Sequence, residues 1–362
     1  GPLYPIIIGI WYNDASRATV PEAKINASEG YNAADQSIKV ASNFDNYLVK
    51  GVGAVSIAST DSAKGAAVDT DAAKTKVTSY IKGADINASK DIEVSSDAYT
   101  KLFDITAAGA VSRHDSAYSG SIGMYIADGD VLAYMDNVKV NKTRIDKNID
   151  EFNKKPENAG KEIKDTDKYK NTTANVKVSA EDTYDNITVT GNVTAGKSST
   201  AGGAIRVDII SDNVNAYIKN SDINTTGDLS ITNNSVIDNI AVTAAGVGSQ
   251  EENAYGGAIS LVVNDMDQDS YIDNSTIASK SVTMDSDTRF ELIDVAGGIT
   301  AATQGSAIGG SIYVAVADND INNYIKNSNI TATKDISLTT DNKINSIAVV
   351  LGGSGGKGLA VS

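Results

Sequence analysis

The chain reads as an all-β protein, a parallel β-helix or solenoid, on three observations. It carries an internal repeat of about 54 residues, a local hydrophobic period of two, and no helical stripe between the strands of a repeat. A Tyr followed by Ile or Met marks the repeat at Tyr80, Tyr134, Tyr217, Tyr271 and Tyr324. The intervals are 54, 83, 54 and 53 residues, so one copy holds about thirty extra residues. With 16 Tyr in 362 residues, a Tyr shared by five copies is no accident of composition.

Each copy opens on a strand with an aliphatic residue twelve positions before the Tyr: Val68, Ile122, Ile205, Ile259 and Ile312. Around it, apolar and polar residues alternate. Ile205, Val207 and Ile209 flank Arg206 and Asp208, and Ile312, Val314 and Val316 flank Tyr313 and Ala315. Such alternation marks a strand with one buried and one wet face, so the aliphatic set is expected to point inward and stack in ladders. After the Tyr come polar pairs, Asn220-Ser221, Asn274-Ser275 and Asn327-Ser328, whose residue types tolerate left-handed backbone and make corners. Six residues after the Tyr stands Ile86, Val140, Ile223, Ile277 or Ile330. An aliphatic pair follows, as in Ile92/Val94, Val176/Val178, Leu229/Ile231, Val282/Met284 and Ile336/Leu338. Eleven residues beyond its first member sit Phe103, Ile187, Ile240, Ile293 and Ile347. A degenerate first copy has Ile25, Ile38, Val40 and Val49.

Four or five short strands in 54 residues predict two coils per repeat, each of roughly 20 to 27 residues. About twelve coils at ~4.8 Å would give a rod near 60 Å. Equivalent Tyr residues would then lie two coils apart, so packing rather than direct ring stacking is expected of them. A β-propeller is disfavoured by the single Trp, and an array of β-sandwiches is the other alternative. The chain stops within a repeat at Leu359–Ser362, begins with Gly1-Pro2 rather than Met, and shows no signal peptide. It is therefore expected to be one β-helical piece, residues 1–362, of a longer protein.

Composition removes several function classes. A formal charge of −15 is poorly matched to nucleic acid, whose binding rests on phosphate neutralisation. With no Cys and one His, disulfides and Cys-ligated zinc are excluded and His-based chemistry lacks ligands. No run of 18 apolar residues is present; the longest apolar stretch, Tyr4–Tyr12, is about half that.

Two segments carry a family resemblance. One is Gly256-Gly257-Ala258-Ile259-Ser260-Leu261-Val262-Val263-Asn264 with Tyr271-Ile272-Asp273-Asn274-Ser275 and Val282-Thr283-Met284. The other is Gly309-Gly310-Ser311-Ile312 with Tyr324-Ile325-Lys326-Asn327-Ser328. They resemble the passenger region of large secreted bacterial adhesins of the filamentous-haemagglutinin and autotransporter type, including leukotoxin-type filamentous proteins. The resemblance implies a right-handed β-helix, secreted or held at the bacterial surface. It also implies a non-enzymatic adhesin or virulence factor acting as a stiff spacer and cell-binding surface. Its partners would be a host-cell or bacterial surface receptor and an outer-membrane secretion partner for the full-length protein. A leukotoxin-type cytotoxin segment is the alternative, and a polysaccharide-degrading β-helix enzyme a weaker one. The family brings no fixed catalytic motif. Absence of Cys agrees, since no disulfide can trap such a chain during export.

Candidate sites are few. The five Arg residues, Arg17, Arg113, Arg144, Arg206 and Arg289, fall in different repeats, and His114 sits in a polar loop without an evident partner. Gly352–Gly358 holds a Gly-Lys but lacks the phosphate-loop spacing. Acidic pairs recur before the Tyr: Asp128 and Asp130, Asp265 and Asp267, Asp318 and Asp320. Stacked carboxylates can take calcium, the one cofactor the sequence raises. Two coils per repeat would hold equivalent pairs too far apart to share an ion, and a solvated acidic corner is the plainer reading.

The thirty extra residues, Asn141 to Asn171, are the best binding candidate. They carry nine Lys plus Arg against seven Asp plus Glu, while the remainder carries 22 against 39. Ile145, Ile149 and Phe152 fall at helical spacing, so Arg144 to Lys155 is expected to form a short amphipathic helix ended by Pro156. Arg144, Ile145, Ile149, Phe152, Lys154 and Lys155 are its candidate contact residues. A tolerated, solvated excursion is the alternative, and the piece as a whole is expected to be a monomer.

Overall fold

The computed structural model describes residues 5–28 and 35–362; Gly1-Pro2 lies outside them. The chain folds as a right-handed parallel β-helix of three sheets. The front sheet contains Ile6–Pro21, Ala63–Lys82, Ala117–Asp136, Thr200–Lys219, Ala254–Asp273 and Ala307–Lys326, with Ala360–Val361 opening a further turn. The side sheet contains Lys24–Ile25, Asp85–Ile86, Lys139–Val140, Asp222–Asn224, Thr276–Ser279 and Asn329–Ala332. The back sheet contains Ile38–Ala58, Asp91–Ser112, Asn175–Gly196, Asp228–Ser249, Ser281–Ala302 and Ile336–Gly356.

Strand pairing corrects the expected coil count. Tyr80 pairs with Tyr134, Tyr134 with Tyr217, Tyr217 with Tyr271 and Tyr271 with Tyr324. One 54-residue repeat is therefore one coil, not two. The misreading has a local cause. Polar runs such as Ser211-Asp212-Asn213 look like turns, yet they lie inside the unbroken 20-residue strand Thr200–Lys219. Six coils at ~4.8 Å rise only about 29 Å, while strands of twenty residues or more run roughly 70 Å across. The piece is a broad slab rather than the expected 60 Å rod.

Front and back sheets lie face to face and are closed differently at their two ends. At one end the side sheet bridges them through left-handed corners at Gly83, Asn137, Asn220, Asn274 and Asn327, with φ from 47° to 62°. Asn side chains ladder there: Asn274 Nδ2 donates to Asn220 Oδ1 at 2.8 Å, and Asn220 Nδ2 to Asp136 Oδ1 at 2.8 Å. At the other end, residues 113–116, 197–199, 250–253 and 303–306 connect back to front directly.

The main apolar core sits at the side-sheet end. Ile86, Val140, Ile223 and Ile277 point inward there, as do Ile92/Val94, Val176/Val178, Leu229/Ile231 and Val282/Met284. Toward the far end the expected orientation is reversed. Ile205 is 36% exposed while Arg206 beside it is 0% exposed, and Val207 and Ile209 share the outer face with Tyr217. Val68, Ile122, Ile259 and Ile312 follow Ile205 outward, and on the back sheet Phe103, Ile187, Ile240, Ile293 and Ile347 also face out. Parity explains the reversal. Val214, Ala216 and Ile218 face inward in the same uninterrupted strand, so every odd-numbered residue of that strand must face outward.

Candidate functional site

Between the sheets, beyond the apolar core, runs a buried polar seam. On the front sheet one inward column reads Asp69, Gly123, Arg206, Ser260, Tyr313, and the next reads Asp71, Tyr125, Asp208, Val262, Ala315. The back sheet sets Lys50, Asp104, Thr188, Ala241 and Asp294 against them. Arg206 Nη1 meets Asp104 at 2.5 Å and Nη2 meets Asp208 at 2.6 Å. Gly123 makes this reach possible, because a Cβ there would lie 2.7 Å from Arg206 Nη1. Lys50 Nζ binds Asp71 at 2.6 Å and also pairs with Asp69.

Four carboxylates thus face two cations in a place water does not reach. Burial, followed by hydrogen bonding to Asp104, pushes the Asp69 carboxyl up to about 7. Further along, burial raises Asp212 and Asp294 to about 6 each. Asp182, wholly buried beside Asp212, is raised well above the carboxylate range for the same reason. Burial thus disfavours the ionised form of these seam carboxyls.

The expected calcium residues stand elsewhere. Asp128, Asp130, Asp265, Asp267, Asp318 and Asp320 all lie on the outer face of the front sheet, in two columns. Adjacent coils pair Asp265 with Asp318 and Asp267 with Asp320, so these carboxylates are one strand apart, not the two coils expected. Asp267 is raised by partial burial and then by the charges of Asp265 and Asp320. In the earlier coils Lys74 meets Asp128 and Lys76 meets Asp130, each at 2.6 Å, so the columns are partly neutralised by lysines. Among the described residues, the three carboxylates whose oxygens come within 4.8 Å of one another are Asp69, Asp71 and Asp104. Sequence reasoning passed them over because it had assigned their strand face to solvent. Lys50 and Arg206 already occupy that cluster.

The Tyr anchors form a continuous outer stack. Ring centroids of Tyr80, Tyr134, Tyr217, Tyr271 and Tyr324 are 4.9, 4.9, 4.5 and 5.2 Å apart, with planes within 18° of parallel. Stacking is direct because equivalent residues occupy neighbouring coils. His114 lies exposed in an end turn, its Nδ1 against the Ser59 carbonyl.

The insertion leaves the side sheet after Val140. It forms helix α1, Lys142–Asn153, a 3-10 turn at Pro156–Asn158 and helix α2, Asp165–Lys168. Helix α1 starts two residues earlier than expected and ends before Pro156. Asn141, left-handed and fully buried, anchors it: its N–H donates to the Ile86 carbonyl and its Oδ1 accepts from the Ala88 N–H, both at 2.8 Å. Arg144 and Ile145 are buried against the coil wall, Ile149 and Phe152 are half-buried, and Lys154 and Lys155 are exposed. Of the six expected contact residues, the two lysines are the ones fully presented to a partner.

A straight groove of about 640 Å³ crosses the outer front sheet. Ala66, Gly120, Gly203, Gly257 and Gly310 floor it, and Val68, Ile122, Ile205, Ile259 and Ile312 wall it. The column on its other side includes Tyr118, Tyr255 and Ile308. Among the described residues, no helix is long and apolar enough to cross a membrane. Comparison with protein-family models, with curated proteins and with solved structures returns no match.

Proposed function

We propose that this chain is a non-enzymatic, extracellular β-helical segment of a bacterial surface or secreted adhesin or virulence factor, and that its work is to present a broad binding surface. One observation carries this. The buried charged cluster of Arg206, Asp104, Asp208 and Asp69 is sealed between the sheets at 0 to 1% exposure, while the outer front face offers straight ladders of Ile, Tyr and Gly beside columns of Asp. Presentation is favoured over reach, because 54 residues advance the axis by only ~4.8 Å, whereas an α-helix rises about 1.5 Å per residue. Exposed Lys154 and Lys155 on the insertion add a basic spot to an otherwise acidic surface. Beads coated with the chain should adhere to host-cell layers or to other bacteria more than beads coated with an unrelated acidic protein. Equal adhesion would count against the proposal, and turnover in a degradation screen on acidic polysaccharides would overturn its non-enzymatic part.

A further inference from the structure

We propose that the outer face of the front sheet is a self-association surface. Two copies of this chain pack there about a two-fold axis, the aliphatic ridge of each seated in the glycine groove of the other. This goes beyond the adhesin reading and departs from the expectation of a monomer.

The ridge is exposed without a cover. Within the stack, Ile122, Ile205 and Ile259 are 37%, 36% and 41% exposed. An aliphatic face this continuous marks an interaction site on a folded protein. The glycines beside it are not all explained from within. Gly in a strand interior weakens the strand and is kept where another backbone comes close. Inward glycines are explained instead by facing side chains: a Cβ on Gly256 would lie 2.5 Å from Val247 Cγ2, and one on Gly309 2.8 Å from Thr300 Oγ1. Of the outward column, only Gly257 is confined by its neighbouring coil, at 2.6 Å from the Gly310 carbonyl oxygen. For a Cβ on Gly120 or Gly203 the nearest atoms would be 3.8 and 3.4 Å away.

A second copy fits this face by geometry. Ridge and groove are adjacent outward columns, two residues or about 7 Å apart, and both repeat at the same ~4.8 Å strand spacing. A two-fold axis between them, parallel to the stacking direction, lays each ridge over the opposite groove with the side chains in step, and it brings each coil of one copy against the same coil of the other. Five strands by eight residues give roughly 600 Å² per copy, about 1,200 Å² in the pair, which reaches the size of a specific interface.

Sedimentation velocity over a concentration series, with circular dichroism to check the fold, tests this. The wild-type chain should sediment as a dimer. Two variants of different chemistry, Ile205→Lys with Ile259→Lys and Gly120→Leu with Gly310→Leu, should sediment as monomers with unchanged β-sheet spectra. Ile240→Lys with Ile293→Lys, on the back sheet, should remain dimeric. A monomeric wild type would overturn the proposal, as would a dimer that survives both front-sheet variants while they are folded, or one lost only in the back-sheet variant. Monomers that float with phosphatidylcholine vesicles would overturn it in favour of lipid. Adhesion of the coated beads is read separately, so either proposal can fail alone.

Discussion

The two ends of the slab solve the same packing problem in opposite ways. Near the side sheet, aliphatic side chains point inward and polar ones outward, with Ile218, Ile223 and Ile277 fully buried. Toward the direct turns, Arg206, Asp208 and Asp104 lie inside, and Ile205, Ile240 and Ile293 lie outside. The strands run unbroken through both regions, so backbone pairing does not distinguish them. Backbone ladders at ~4.8 Å hold the sheet in register whatever the side chains are, and the inner face can then be apolar or polar provided its polar groups find partners. The lesson is that in a parallel β-helix the ladder sets the fold and side-chain parity sets which chemistry is hidden.

The largest expected effect comes from breaking the charged seam. Arg206→Ala leaves Asp104 and Asp208 buried without a counter-charge and should lower stability by about 3–5 kcal/mol in urea unfolding. Replacing the whole set, Arg206→Met with Asp104→Leu and Asp208→Leu, should be near neutral or stabilising. If the single and triple variants lost the same stability, the seam would not be acting as a paired unit.

Two isoleucines of one strand sharpen the contrast. Ile218→Ala empties a fully buried site and should cost about 2–5 kcal/mol, whereas Ile205→Ala, on the outer face, should cost less than about 1 kcal/mol in dilute solution. Equal losses in urea unfolding would contradict the assigned faces.

The seam should also make stability depend on pH. Asp69 at about 7 and Asp212 and Asp294 at about 6 all stand above the unfolded value of 3.8. A carboxyl with a raised folded pKa binds its proton more tightly in the folded state. Its contribution is therefore full below the unfolded pKa and is lost as pH rises through the folded one. Melting temperature should fall between about pH 4 and pH 7, and Asp69→Asn should flatten the upper part of that fall. A melting temperature that rises over this interval would refute the assignment.

Much of this was open to inspection in the sequence. Five Tyr, three of their four intervals 53 or 54 residues, gave the repeat, and Asn220, Asn274 and Asn327 gave the corners, because a left-handed bend restricts residue type. Ile92/Val94 and Leu229/Ile231 were correctly placed in the core, where alternation and burial agree. Coil number and the polar seam were missed together, for one reason. Ser211-Asp212-Asn213 has turn composition but strand geometry, and treating it as a corner removed the parity that ties Ile205 to Tyr217. Had the strand been continued through it, Val214, Ala216 and Ile218 would have fixed the inner face and sent Arg206 inside. The seam's partners are separated by up to 102 residues, as for Arg206 and Asp104, so no local pattern could pair them. The anchoring of helix α1 rests likewise on residues more than fifty positions upstream, where Asn87 Oδ1 accepts from the Arg144 N–H and the Ala88 N–H donates to Asn141 Oδ1.

The reversed parity is most directly tested by cysteine scanning along Thr200–Lys219, since the chain has no cysteine of its own and labelling starts from no background. Single variants Ile205→Cys, Val207→Cys and Ile209→Cys, labelled at a dilution where the chain sediments as a monomer, should react rapidly with a charged maleimide in the native state. Ile210→Cys, Val214→Cys and Ile218→Cys should react only after denaturation. Fast native labelling of the second set with protection of the first would contradict the account.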